Sequence, residues 1–107
     1  MERFIGPKYY IKLFIDTREE PSIHLELESS VEMLTYDYIY KRIEDEMELQ
    51  NDKFVLNYFC QKTKRVVKME SNFAAPVKDL ADQRLEVILI TRSIRKETLK
   101  KQMFLQK

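Results

Sequence analysis

Apolar and polar side chains alternate through residues 9–16, YYIKLFID, so Tyr9, Ile11, Leu13 and Ile15 share one face of an extended segment. A polar stretch at residues 17–21 ends in Pro21. Residues 23–28, IHLELE, then alternate again, with Ile23, Leu25 and Leu27 on one face and His24, Glu26 and Glu28 on the other. Two alternating runs joined by a short polar link predict a β-hairpin. The period then changes. Val31, Leu34, Tyr38, Ile39, Ile43 and Met47 recur at helical spacing. Ser29 as N-cap with Glu32 three residues on would form a capping box, which predicts a helix from there to about Glu48. Glu44, Asp45, Glu46 and Glu48 crowd its last turn, where the helix dipole disfavours anions, so that end should fray or be held by a cation.

Aromatic and β-branched residues at 54–59 predict a strand, residues 61–64 a turn, and residues 66–69 a short strand pairing back. Residues 70–76 read as irregular, and residues 77–82 as one short helical turn. Residues 85–90, LEVILI, are almost continuously apolar, as befits a central strand beside the first. Residues 94–106 carry a poor helical stripe of Ile94, Leu99, Met103 and Phe104. The chain therefore divides into a lead-in at 1–8, one α+β domain at 9–91 and a basic C-terminal segment at 92–107, expected to be helical. The compact arrangement of these elements is a mixed sheet of four to five strands with one long helix packed across it.

The order and spacing resemble the ubiquitin-like β-grasp superfamily over residues 9–91. The hairpin YIKLFID…SIHLELES is similar to ubiquitin's opening hairpin. Val31, Leu34 and Tyr38 fall at the helical steps that ubiquitin uses, and VKDL followed by LEVIL looks like its late short helix and final strand. The resemblance implies a protein-interaction module. It also implies that Ile88 corresponds to an apolar member of ubiquitin's recognition patch on the outer sheet face. The sequence departs from conjugated modifiers, which carry Gly-Gly after the last strand. Here Thr91, Arg92, Ser93 and Ile94 follow it, and no glycine occurs after Gly6, so conjugation by that chemistry is not expected. A helix longer than ubiquitin's and a shorter segment between Val77 and Leu85 leave room for a Ras-associating domain, a PB1 domain, a bacterial YukD-like protein or the first lobe of a FERM module within a larger protein.

Composition removes most enzyme classes. One glycine in 107 residues leaves no phosphate loop, dinucleotide fingerprint or nucleophile elbow, each of which needs several. Single copies of cysteine (Cys60) and histidine (His24) exclude an intramolecular disulfide and a cysteine-rich zinc site. His24 reads as a solvent-facing strand residue, Cys60 as a small hydrophobe at a strand end, and the carboxylates of 44–48 as a solvated face. Neither an enzyme nor a cofactor is expected. No apolar run approaches the ~20 residues of a membrane span. An unpaired cysteine without an apolar leader points to an intracellular, cytoplasmic location.

Net charge is only +1, yet residues 1–52 hold six basic and thirteen acidic groups, whereas residues 53–107 hold thirteen basic and five acidic. Such asymmetry suggests surfaces offered to partners of opposite sign. Two candidate surfaces follow. Strand parity puts Lys12, Phe14, Ile88 and Ile90 on the sheet face away from the helix, where large apolar groups in water mark a protein contact unless the C-terminal segment covers them. The second is the basic tail, with Arg92, Arg95, Lys96, Lys100 and Lys101, which could dock a helix onto a larger assembly. Nucleic acid is the weaker reading for that tail, because no aromatic stacking platform is interleaved with its charges. The expected function is thus a non-catalytic, unconjugated interaction module whose partner is another protein, with a structural or assembly role as the alternative.

Overall fold

The computed structural model describes residues 8–19, 22–50 and 52–91. Among the described residues seven strands and one α-helix form: β1 (Tyr10–Ile15), β2 (Ile23–Glu26), β3 (Met33–Thr35), α1 (Tyr36–Met47), β4 (Val55–Cys60), β5 (Arg65–Lys68), β6 (Ala74–Pro76) and β7 (Arg84–Ile90). Two 3₁₀ turns, Val77–Asp79 and Ala81–Gln83, precede β7. Five strands make one mixed sheet in the order β2-β1-β7-β4-β5, while β3 and β6 pair as a separate two-stranded ribbon. β7 runs parallel to β1 and antiparallel to β4. The last strand is therefore central, as its apolar sequence predicts.

Parity decides the core. Ile11 and Leu13 of β1, Leu25 of β2, Leu56 of β4 and Leu85, Val87 and Leu89 of β7 cluster with Ile39, Ile43 and Met47 of α1. The three helix residues are spaced by four, so they form one stripe that lies on one face of the sheet.

The helix starts later than the capping-box reading of Ser29 and Glu32 placed it. Met33, Leu34 and Thr35 are extended and pair with Pro76, Ala75 and Ala74. Two further bonds, Val77 N–H to the Glu32 carbonyl at 2.9 Å and Tyr36 N–H to the Phe73 carbonyl at 3.1 Å, lock this ribbon at both ends. These long-range bonds outweigh the local preference for helix. The N-cap is Thr35, whose Oγ1 accepts from the Tyr38 N–H at 3.2 Å. Leu34 remains fully buried, but as a strand residue. The segment read as irregular, 70–76, thus contains β6.

The acidic helix end does not depend on an outside cation. Lys41 lies 3.8 Å from Glu44 and 3.4 Å from Asp45, and Arg42 lies 3.6 Å from Glu46. Glu48 turns left-handed (φ 55°), and the Leu49 N–H reaches the Glu44 carbonyl at 2.9 Å. Leu49 is fully buried, which supplies the apolar contact that accompanies such a helix stop.

Candidate interaction surface

The sheet has a second face, made by the residues of opposite parity. The register builds it row by row. One row runs His24, Lys12, Glu86 across β2, β1 and β7, and the next runs Phe14, Ile88, Asn57, Lys68 across β1, β7, β4 and β5. Ile90 stands opposite Val55, and Phe59 opposite Val66. Lys12, Phe14, Ile88 and Ile90 therefore do share this outer face.

Their exposure differs from the expectation. Phe14 is only 5% exposed and Ile88 only 2%, although neither belongs to the helix-side core cluster. Both sit on interior strands of the sheet, where strands on either side exclude water. Lys12 folds its ammonium 5.5 Å from the centre of the Phe14 ring. These two residues are structural, and a charge at Ile88 would be buried rather than displayed. Ile90 is half-buried. Arg92, Arg95, Lys96, Lys100 and Lys101, with the helix expected around them, lie outside the described residues.

The apolar groups that do meet water lie toward β4 and β5. Among the described residues the exposed large hydrophobics are Met33, Val55 and Val66, and the two valines, at 40% and 43%, both occupy the outer face. Phe59 stands directly opposite Val66, while Asn57 separates it from Val55 along β4. The Phe59 ring is capped by Arg18, whose guanidinium carbon sits 3.9 Å from the ring centre. That guanidinium is fixed by Glu86 Oε1, which accepts from Nε at 2.7 Å and lies 2.6 Å from Nη2. The loop bearing Arg18 leaves β1 through Asp16, which is left-handed (φ 65°). The Asp16 carboxylate accepts from the Thr91 N–H at 2.9 Å and the Thr91 hydroxyl at 2.7 Å. The ends of β1 and β7 are thereby stapled together, and the Arg18 position follows from that staple.

Sequence parity missed Arg18, Val55, Phe59 and Val66. The two valines and Phe59 were legible as strand residues, but their common face depends on which strands pair. Arg18 reaches Glu86 across 68 positions of sequence.

The β4–β5 hairpin is strongly basic. Residues 53–69 contain Lys53, Lys62, Lys64, Arg65 and Lys68 and no carboxylate. Cys60 lies at its turn, and its thiol titrates below the usual cysteine range. Hydrogen bonds from Thr63 to the thiolate are the main cause, with Lys62 adding a smaller electrostatic contribution.

On the helix side, Tyr40 stacks on Phe54 with centroids 4.0 Å apart, and Tyr36 lies beside Tyr40. Partial burial, then Tyr40 and Asp37, raise the Tyr36 hydroxyl above its ordinary value. His24 packs near the Tyr10 ring at 6.0 Å. It stands three strands from Cys60, about 14 Å at ordinary strand spacing, so the two cannot act as a catalytic pair. Among the described residues no group of three or more His, Cys, Asp or Glu side chains is placed to hold a metal ion. No described helix is long and apolar enough to cross a membrane.

No protein-family model matches the chain, and no curated protein or solved structure is significantly similar to it.

Proposed function

We propose that this chain is a ubiquitin-like β-grasp module that binds another protein through the outer face of its sheet and catalyses no reaction. The observation that carries the reading is the placement of Val55 and Val66. Exposed apolar side chains scattered singly need no explanation, but Val66 stands beside Phe59 and Val55 beside Ile90 on one face, with Lys12, Arg18 and Lys68 among them. Apolar groups interspersed with cations on one face suit a protein partner. The mixed five-stranded sheet with one helix across it is compatible with the β-grasp. A role as a conjugated modifier is not part of the proposal, because Thr91, Arg92 and Ser93 stand where modifiers carry Gly-Gly.

The test compares the wild-type chain with Val55→Asp, an exposed position where a charge costs little stability. Immobilised chains are exposed to a cell extract, and retained proteins are identified by mass spectrometry after circular dichroism has shown both chains folded. A protein retained by the wild type and lost with Val55→Asp supports the reading. Equal retention by both places recognition elsewhere.

A further inference from the structure

β5 is an edge strand with one side of its backbone open. Which groups face outward follows from the ladder. The Met69 N–H bonds to the Leu56 carbonyl at 2.9 Å, continuing the register in which Val67 faces Tyr58 and Arg65 faces Cys60. In an antiparallel pair, hydrogen-bonded and non-bonded residues alternate. Arg65 and Val67 therefore direct their N–H and C=O groups toward β4, while Val66 and Lys68 direct theirs away from the sheet. Among the described residues nothing pairs with those outward groups, and Lys62, Arg65 and Lys68 make no ion pair.

We propose that this edge is the docking site for an acidic, extended segment of a partner protein, which adds to β5 as a sixth strand of the sheet. The inference rests on the interaction-module reading and names the partner's chemistry. The free backbone groups of Val66 and Lys68 supply main-chain pairing, and the exposed Val66 side chain supplies an apolar contact on the outer face. Charge selects the occupant. Lys62, Lys64, Arg65 and Lys68 surround the edge without a carboxylate in residues 53–69, so a strand carrying Asp or Glu finds complementary charge along its length.

The same charges reject a second copy docking edge to edge, because each β5 would meet its own cations. Nor is the opposite edge of a second copy a ready partner. β2 is acidic, but the outward carbonyl of Glu26 already accepts from Arg42 Nη2 at 3.0 Å.

The test uses a capped, dye-labelled peptide of alternating glutamate and valine, about six residues long, titrated with the full chain by fluorescence anisotropy. Its companions are the lysine–valine counterpart, a glutamate–valine peptide N-methylated at every backbone amide, and a single-stranded oligothymidine. The glutamate peptide should bind, and binding should weaken about tenfold or more with Lys68→Glu. Val66→Pro should abolish it, because this substitution removes an outward N–H and no ladder bond. If Val66→Pro does not fold, the N-methylated peptide tests the same backbone pairing without altering the protein, and it should not bind. Tighter binding of the oligothymidine, equal binding of the lysine peptide, or undiminished binding of the N-methylated peptide overturns the proposal. Failure of the glutamate peptide while a captured protein still depends on Val55 overturns the edge site and leaves the interaction-module reading standing. Failure of both overturns that reading as well.

Discussion

The two edges of the sheet meet the same hazard in opposite ways. Any edge strand offers unpaired backbone groups to a passing strand. At β2 the helix occupies one outward carbonyl and the backbone just beyond the strand. Arg42 donates to the Glu26 carbonyl at 3.0 Å, and the Tyr38 hydroxyl accepts from the Glu28 N–H at 3.5 Å. An exposed ion pair there, Lys8 with Glu26 at 3.4 Å, adds little in water. At β5 no described helix side chain does the same, and protection is left to cations. The acidic β2 edge, with the Glu26 carbonyl already occupied, disfavours anionic strands, whereas the basic β5 edge disfavours cationic ones. The difference between the two edges is thus one of charge and of one occupied carbonyl.

The centre of the sheet sets the scale for both edges. Ile88→Asp places a carboxylate where only 2% of the side chain meets water. It should cost more than about 4 kcal/mol and unfold the domain, as a buried unpaired charge does. Leu89→Ala, on the helix side of the same strand, should cost roughly 2–5 kcal/mol. Urea denaturation checks both. A folded Ile88→Asp chain with an unshifted midpoint would show that the outer face is open at its centre as well as near β5.

Removing the cover from β2 should make the edges more alike. Arg42→Ala should lower stability by about 1 kcal/mol, the net worth of a typical hydrogen bond. It should also produce association that rises with protein concentration, read by sedimentation velocity, as the freed Glu26 carbonyl becomes available to the β5 edge of another copy. A variant that stays monomeric and equally stable would remove Arg42 as the guard of β2. Thr35→Ala should cost about 1 kcal/mol by removing the helix cap. Its effect should appear at β2, where α1 delivers Tyr38 and Arg42, and not at β5, a contrast that residue-resolved amide exchange can read.

The smallest effect concerns the cationic hairpin. A lowered Cys60 pKa means that thiolate accumulates at lower pH than in an unstructured peptide, so alkylation by iodoacetamide should rise with an inflection below that of a free thiol. Thr63→Val should move the inflection back up, since Thr63 is the main cause of the shift. An unmoved inflection would detach the thiol from the hairpin turn.

Strand alternation made much of this fold legible. The faces of β1 and β2 follow from apolar alternation, and the central place of β7 follows from its almost unbroken apolar run. The start of the helix did not, because Met33, Leu34 and Thr35 are held extended by partners about 40 positions away, and a capping-box signal at Ser29 and Glu32 carries no information about them. The candidate surface was half legible. Parity placed Lys12, Phe14, Ile88 and Ile90 on the outer face, but it cannot distinguish a central strand, shielded by its neighbours, from an outer one. Phe14 and Ile88 are buried on interior strands, while Val55 meets water at the end of β4 beyond its pairing with β5, and Val66 meets water on the edge strand. The charge of the hairpin was visible in the sequence, yet its meaning depends on β5 being an edge, which only the strand order reveals.

Amide hydrogen exchange across both edges, with and without the glutamate–valine peptide, tests the central claim most directly. In the free chain the Val66 and Lys68 amides should exchange rapidly, while that of Val67, bonded into the β4 ladder, should exchange slowly. With the peptide present, Val66 and Lys68 should become protected, and His24 and Glu26 on β2 should not change. Protection that appears at β2, or at neither edge, would contradict the account.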